Sequence, residues 1–294
     1  MSYSLSSNAI APSESPITSR PVSTISAPSV AGISPLRNLT ELLRYRDLIY
    51  TLTLHRIHVR YKQSVLGVSW AIIQPLSMML MFTAVFSLIA RIPSEGTPYA
   101  IFAYTALLPW NFFSTSVTNA TGGLVNHSQL VTKVYFPREI LPLSYILAAL
   151  FDFLIGAAVL ATLMVYFGVP VTLNAISAIP VLLVLALFSM AIALFLSATQ
   201  VHFRDIGMAV PLVLQLWMFA TPVLYPTSSV PERFHFLFYL NPMAGIIDNF
   251  RRVVLHGSPL ELRSFAASAG CSIVLLAAGY IYFKRVERTM ADFI

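Results

Sequence analysis

Polar side chains that interrupt apolar runs are the residues of this sequence with chemistry to do. Gln74 and Pro75, Asn111, Asn119, Asp152 and Gln215 each stand inside a strongly apolar stretch. Such groups are costly in hydrocarbon and face protein or water, where they build a passage or pair with a neighbouring helix. Asp152 lies about twelve residues past the start of its run, ~18 Å along a helix and near the midplane of a bilayer. One carboxylate suits a pathway element, a bundle switch or a buried pair with another helix, whereas a proton relay needs a chain of carriers. His55 and His58 stand three apart and nominally suit a metal. No third ligand accompanies them, and contact with lipid phosphates is the alternative. The acidic residues, twelve in all, are scattered, so no catalytic cluster forms. The single cysteine, Cys271, offers neither a disulfide framework nor metal-ligand spacing and reads as a small packing residue.

The elements that must position these groups are membrane-spanning helices. The chain of 294 residues is 57% hydrophobic and 10% charged, with a mean hydropathy of +0.75. Soluble domains carry about 25% charged residues, which excludes that class. Apolar runs at about 68–90, 99–121, 140–167, 173–199, 206–225 and 264–283 match the ~20 residues a helix needs to cross a bilayer. There is no repeat and no β-barrel alternation, so the predicted fold is an all-α polytopic membrane protein with six transmembrane helices. Thirteen of the eighteen basic residues fall on one side: Arg20, Arg37, Arg44, Arg46, Arg56, Arg60, Lys62, Lys133, Arg138, Arg204, Lys284, Arg285 and Arg288. That bias predicts both termini in the cytoplasm. The net charge of +6 then reflects topology and anionic lipid rather than nucleic acid.

Residues 1–35, rich in Ser, Thr and Pro, read as a disordered cytoplasmic tail without the features of a secretory signal. Residues 36–66 read as an amphipathic interface helix opened by a capping box at Asn38 and Glu41. Leu39, Leu42, Leu43, Ile49, Leu52 and Ile57 mark its apolar face, and Arg44, Arg46, Arg56 and Arg60 reach for headgroups. Residues 67–294 form the transmembrane domain.

Aromatics give a second signal. Tyr104, Trp110, Phe112 and Phe113 occupy the second span, and Trp217, Phe219 and Tyr225 the fifth. Interfacial belting and packing is one account of them. Trp217 and Phe219 lie inside a run, however, and aromatic faces stack on the CH faces of sugar rings, so a carbohydrate conduit is the other. Between the last two spans, residues 226–263 hold two short helices of mixed character separated by Asn241-Pro242. Each is too short to cross a bilayer, which suggests re-entrant or gate elements with Pro231, Glu232, Arg233, Asn241, Pro242 and Arg251 as candidates. The phosphate-cradling pattern G-x-x-x-x-G-K-S/T is missing, so uphill transport calls for a separate ATPase. Loops 126–143 and 200–207 look made for docking it, through Gln129, Lys133, Tyr135, Phe136, Pro137, Arg138, Arg204 and Asp205. A positive-inside bias alone accounts for their charge but not for their aromatic and proline content.

RYKQSVLGVSWAIIQPL, LPWNFFS, LVTKVYFPREILPL, FRDI, PVLYPTSSVPERF, LNPMAGIIDNFR and FKRVERTMADFI occur in that order. Together they resemble the type-2 ABC transporter permeases that export polysaccharides, most of all the O-antigen lipopolysaccharide permeases, with teichoic acid and capsule permeases close by. The resemblance runs from about residue 37 to the C-terminus and leaves the Ser/Pro tail outside. It implies a homodimeric multi-pass permease of the bacterial inner membrane, paired with two ATP-binding cassette subunits that bind ATP and Mg. No cofactor is expected in this chain itself. The implied substrate is a glycan on undecaprenyl diphosphate. Residues 126–142 would then couple to the ATPase, and 226–256 would form the gate. Arg56, Arg60 and Lys62 are candidates for meeting the carrier diphosphate through charge-assisted bonds, ordinary lipid headgroups being the alternative. Two other functions stay open: a related exporter of a small amphiphile such as a drug or lipid, and a polytopic membrane glycosyltransferase, which would need clustered acids or a metal.

Overall fold

The computed structural model describes residues 42–62, 64–231, 233 and 235–290. The expectations for the 1–35 tail, the capping box at Asn38 and Glu41, and Glu232 lie outside the described residues. Among the described residues every regular element is a helix.

Among the described residues four helical segments are long and apolar enough to cross a membrane: Gly67–Ser87, Ile140–Tyr166, Leu173–His202 and Leu262–Glu287. The first contains α2 (Trp70–Phe82), preceded in the chain by α1 (Arg46–Lys62). The second predicted run folds as α3 (Tyr99–Thr121), 23 residues long. Its hydroxyls and amides, among them Thr105, Asn111, Ser114, Thr115, Thr118 and Asn119, make it less apolar than the other four. Burial supports them, because every residue from Ile101 to Trp110 is buried. A short α4 (Ser128–Lys133) leads to α5 (Ile140–Tyr166) and α6 (Ala178–His202).

The fifth predicted run is shorter than expected: α7 spans Ile206–Phe219, 14 residues, not 206–225. Pro222 explains the stop, since it lacks an N–H and disfavours helix in the residue before it. The two short helices follow as α8 (His235–Leu240) and α9 (Pro242–Val254). Their break falls at Asn241, whose side chain caps α9 by accepting from the Met243 N–H while Pro242 occupies the first turn. The last helix is α10 (Leu262–Glu287).

Small residues set the closest helix approaches, as is usual where lipid gives no hydrophobic drive to pack. α10 packs on α6 at Gly279, where a Cβ would stand 2.8 Å from the Ala191 carbonyl oxygen. α3 packs on α5 at Gly156, whose carbonyl accepts from the Tyr104 hydroxyl at 3.2 Å. The main core lies around α3, α5, α6 and α9. A second apolar cluster joins Leu124, Val131, Phe136, Ile140, Val201 and Phe283, at the end of the bundle that carries the basic loops. Leu42, Leu48, Ile49 and Leu52, on and just before α1, pack against it, although no residue of α1 is fully buried. Leu43, expected on the same apolar face, is exposed.

Candidate functional site: a polar groove between two differently built ends

α2, α3, α5 and α7 enclose a groove of about 950 Å³, closed on one side by the end of α1. Gln74, Pro75, Asn111, Asn119, Asp152 and Gln215 all line it, although they come from four helices. Pro75 and Pro211 stand inside α2 and α7, where each removes a backbone bond and lets the wall bend. The groove lining on α3 runs from Leu108 to Asn119, about 16 Å at 1.5 Å per residue.

The aromatic candidates divide. Phe219 is exposed to the groove, and Trp110 and Phe112, 3% exposed each, stand in its wall with most of their surface in the core. Tyr104 and Phe113 do not: both are buried in the core, where the Phe113 ring stacks on Phe188 at 5.2 Å. Trp217 and Tyr225 line a second cavity of about 730 Å³ at the opposite, far end, together with Pro231, Asn241 and Pro242. Trp110 and Trp217 meet edge to face, their centroids 6.5 Å apart, so an aromatic contact connects the walls of the two cavities. The Trp217 Nε1–H donates to Asn241 Oδ1 at 3.3 Å, and Asn241 Nδ2 donates to Thr221 Oγ1 at 2.9 Å.

The groove carries one ion pair, Arg60 with Asp152, and the Tyr61 hydroxyl donates to the same carboxylate. Of the possible roles for Asp152, the structure shows the pair, made with α1 rather than with another span. Burial first, and the Asp152 bond second, push the Tyr61 phenol up to about 12, so it remains a donor. Arg56 lies over the Tyr145 ring, 3.3 Å from its centroid, and its Nε–H donates to Ser144 Oγ at 2.7 Å. Burial lowers its pKa from the usual arginine value. Of the three basic residues proposed for the carrier, Arg60 and Lys62 are both exposed, and Lys62 makes no bond to another element among the described residues. His55 and His58 are both exposed on α1.

At the basic end, Gln129, Lys133, Tyr135, Arg204 and Asp205 are exposed and Phe136 is buried beneath them. Pro137 and Arg138 are half-buried, and Arg138 Nη1 donates to the Glu287 carbonyl at 2.5 Å. Lys284 Nζ donates at 2.8 Å to both Glu139 and Glu287. Glu139 is 2% exposed; burial raises its pKa, and Lys284 opposes that rise. Sequence reasoning passed over Tyr61, Glu139, Lys284 and Glu287 as a set. The one available signal was an acid, Glu139, placed at the threshold of an apolar run.

At the far end Arg251 is 2% exposed. It lies 3.7 Å over the Phe102 ring and donates from Nη2 to the carbonyls of Pro222 and Val223, at 3.3 and 3.1 Å. Burial lowers it to about 10, with Asp248 acting in the opposite direction. It therefore anchors the core, and does not line the far cavity as a gate residue would. Arg233 is exposed.

Fold and groove together define a multi-pass helical membrane protein with polar groups collected inside its apolar body. The chain belongs to the ABC-2 type transporter family, whose model matches residues 47–255. It is 32% identical over 255 residues to an O-antigen export system permease protein, RfbA, of Myxococcus xanthus, covering 86% of this chain and 97% of that one. An RfbA of the same description from Klebsiella pneumoniae is 28% identical, over 84% of this chain and 94% of its own. The polysialic acid transport protein KpsM of Escherichia coli is 25% identical, over 82% and 94%.

Proposed function

We propose that this chain is the permease subunit of an ATP-driven exporter of polysaccharide, with a lipid-linked glycan of the O-antigen type as its cargo. The observation that carries this reading is the groove: five polar interruptions and Pro75, from four helices, line one groove together with the exposed ring of Phe219. A passive anchor has no use for such convergence, whereas a sugar chain needs amides for its hydroxyls and aromatic faces for its rings. The names of the relatives, matched over nearly their whole length, support the same cargo class.

The finer parts of the proposal follow from charge and length. α3 and α7 join the four long apolar helices to make six spans, with α8 and α9 as gate elements. The basic end lies in the cytoplasm of the inner membrane, as do both termini. Two copies enclose the passage, and two separate ATPase subunits, which bind ATP and Mg, dock on Gln129, Lys133, Tyr135, Arg204 and Asp205. Arg60 and Lys62 meet the diphosphate of the lipid carrier.

Deleting the gene in its host tests the cargo: lipid-linked glycan should accumulate inside and vanish from the surface. Full surface glycan with no internal accumulation overturns the reading. Stimulation of ATPase activity by a small amphiphile and not by glycan would favour the amphiphile exporter instead. For docking, the double substitution Lys133→Ala and Tyr135→Ala should weaken ATPase binding at least about tenfold, the effect of one interface hot spot. Membrane insertion should stay normal, because both side chains are exposed. Unchanged binding and export would remove these residues from the interface.

A further inference from the structure

We infer that Asp152 is a selectivity residue for anionic lipid headgroups: it holds Arg60 against singly charged phosphodiesters and releases it to a diphosphate. This rests on the reading above that the cargo rides on a diphosphate lipid. Among the described residues Arg60 and Asp152 are the two charged side chains lining the groove, and they remain 35% and 23% exposed. The guanidinium is thus open to a ligand while already occupied by an internal anion.

A groove open to a bilayer meets phospholipid phosphates continually. Each brings one negative charge, the same as the Asp152 carboxylate, but without its permanent proximity. A tethered group acts at an effective concentration that a free competitor with equal charge does not match. A diphosphate brings more charge and enough oxygens to engage the planar fork of a guanidinium at two points. It can therefore displace the carboxylate where a phosphodiester does not. Tyr61 completes the exchange, since its hydroxyl donates to Asp152 Oδ1 and keeps a partner on the carboxylate when Arg60 leaves. Met78, Met81, Phe82 and Leu214 give the same groove an apolar lining, which suits an anion carried on a hydrocarbon tail.

The test uses the purified full-length protein in detergent, with binding of phosphatidylglycerol, farnesyl diphosphate and inorganic pyrophosphate measured by native mass spectrometry. Wild type should prefer farnesyl diphosphate over phosphatidylglycerol by about tenfold or more. Asp152→Asn should raise phosphatidylglycerol binding about tenfold and collapse that preference. Arg60→Gln should lower farnesyl diphosphate binding by a similar factor. Tyr61→Phe offers a second route should Asp152→Asn fold poorly: it should weaken diphosphate binding and leave phosphatidylglycerol unchanged. An unchanged preference in both Asp152→Asn and Tyr61→Phe, at wild-type thermal midpoints, overturns the selectivity role. Pyrophosphate binding as tightly as farnesyl diphosphate overturns the lipid source. Glycan export in the deletion strain is read separately, so loss of export with unchanged preference sinks only this inference, and continued export sinks the reading beneath it.

Discussion

The two ends of the bundle bury charge in opposite ways. At the basic end Lys284 sits between two carboxylates, Glu139 and Glu287, so the buried acid has a counter-charge in direct contact. At the far end Arg251 is buried more completely, and it bonds backbone carbonyls and covers an aromatic face, with no carboxylate in direct contact among the described residues. A buried acid with a direct counter-charge can be neutralised together with that partner, which leaves no fully buried charge unpaired. A lone guanidinium that supplies donors to carbonyls has no such partner. The basic end is therefore a substitutable platform beneath the exposed side chains of Gln129, Lys133, Tyr135, Arg204 and Asp205. The far end hangs on one side chain, which joins the Pro222–Val223 turn to α9 and α3.

The largest effect should come from Arg251→Ala. It opens a cavity beside Phe102 and strips the carbonyls of Pro222 and Val223 of their donor, together costing about 3–5 kcal/mol. Arg251→Met keeps the stem and should recover part of that loss. Thermal unfolding in detergent measures both, and a cost of less than about 1 kcal/mol for Arg251→Ala would remove the keystone role.

Lys284→Ala should come next, at about 2–4 kcal/mol, because it leaves Glu139 buried without its counter-charge. Here the comparison sharpens. Adding Glu139→Gln to Lys284→Ala should restore at least half of the loss, whereas Asp248→Asn added to Arg251→Ala should restore little. Equal rescue at both ends would erase the distinction between them.

Much of the fold was legible because lipid imposes a length. The runs starting at 140 and 264 became α5 and α10 nearly as bounded, and Asn241-Pro242 marked the α8–α9 break through a cap and a first-turn proline. The groove was legible as a list of members, since Gln74, Asn119, Asp152 and Gln215 are each too costly to leave in lipid. What the list lacked was rotation. In helices apolar all round no amphipathic stripe says which way Tyr104 or Phe113 points, and both turned into the core. Pairings across long separations were equally hidden: Arg60 and Tyr61 reach Asp152, more than ninety positions away, only because α1 packs along α5.

The smallest effect expected is a change in pH response, and it belongs to Asp248. Burial raises its carboxyl above the ordinary 3.8, with the Thr227 hydrogen bond and Arg251 acting against the rise. A folded-state pKa above the unfolded one means that the folded chain holds the proton more firmly. Its contribution to stability is then fully present below the unfolded value and is lost as pH rises through the folded value. Wild type should accordingly gain from this residue as the solution is taken from about pH 7 toward about pH 4, and Asp248→Asn should lack that gain. Thermal midpoints of the two proteins across that window, in the same detergent, give the difference directly. A wild-type curve that falls faster than the variant's on acidification would mean that Arg251 dominates Asp248, and that the far end holds a true ion pair, as the basic end does.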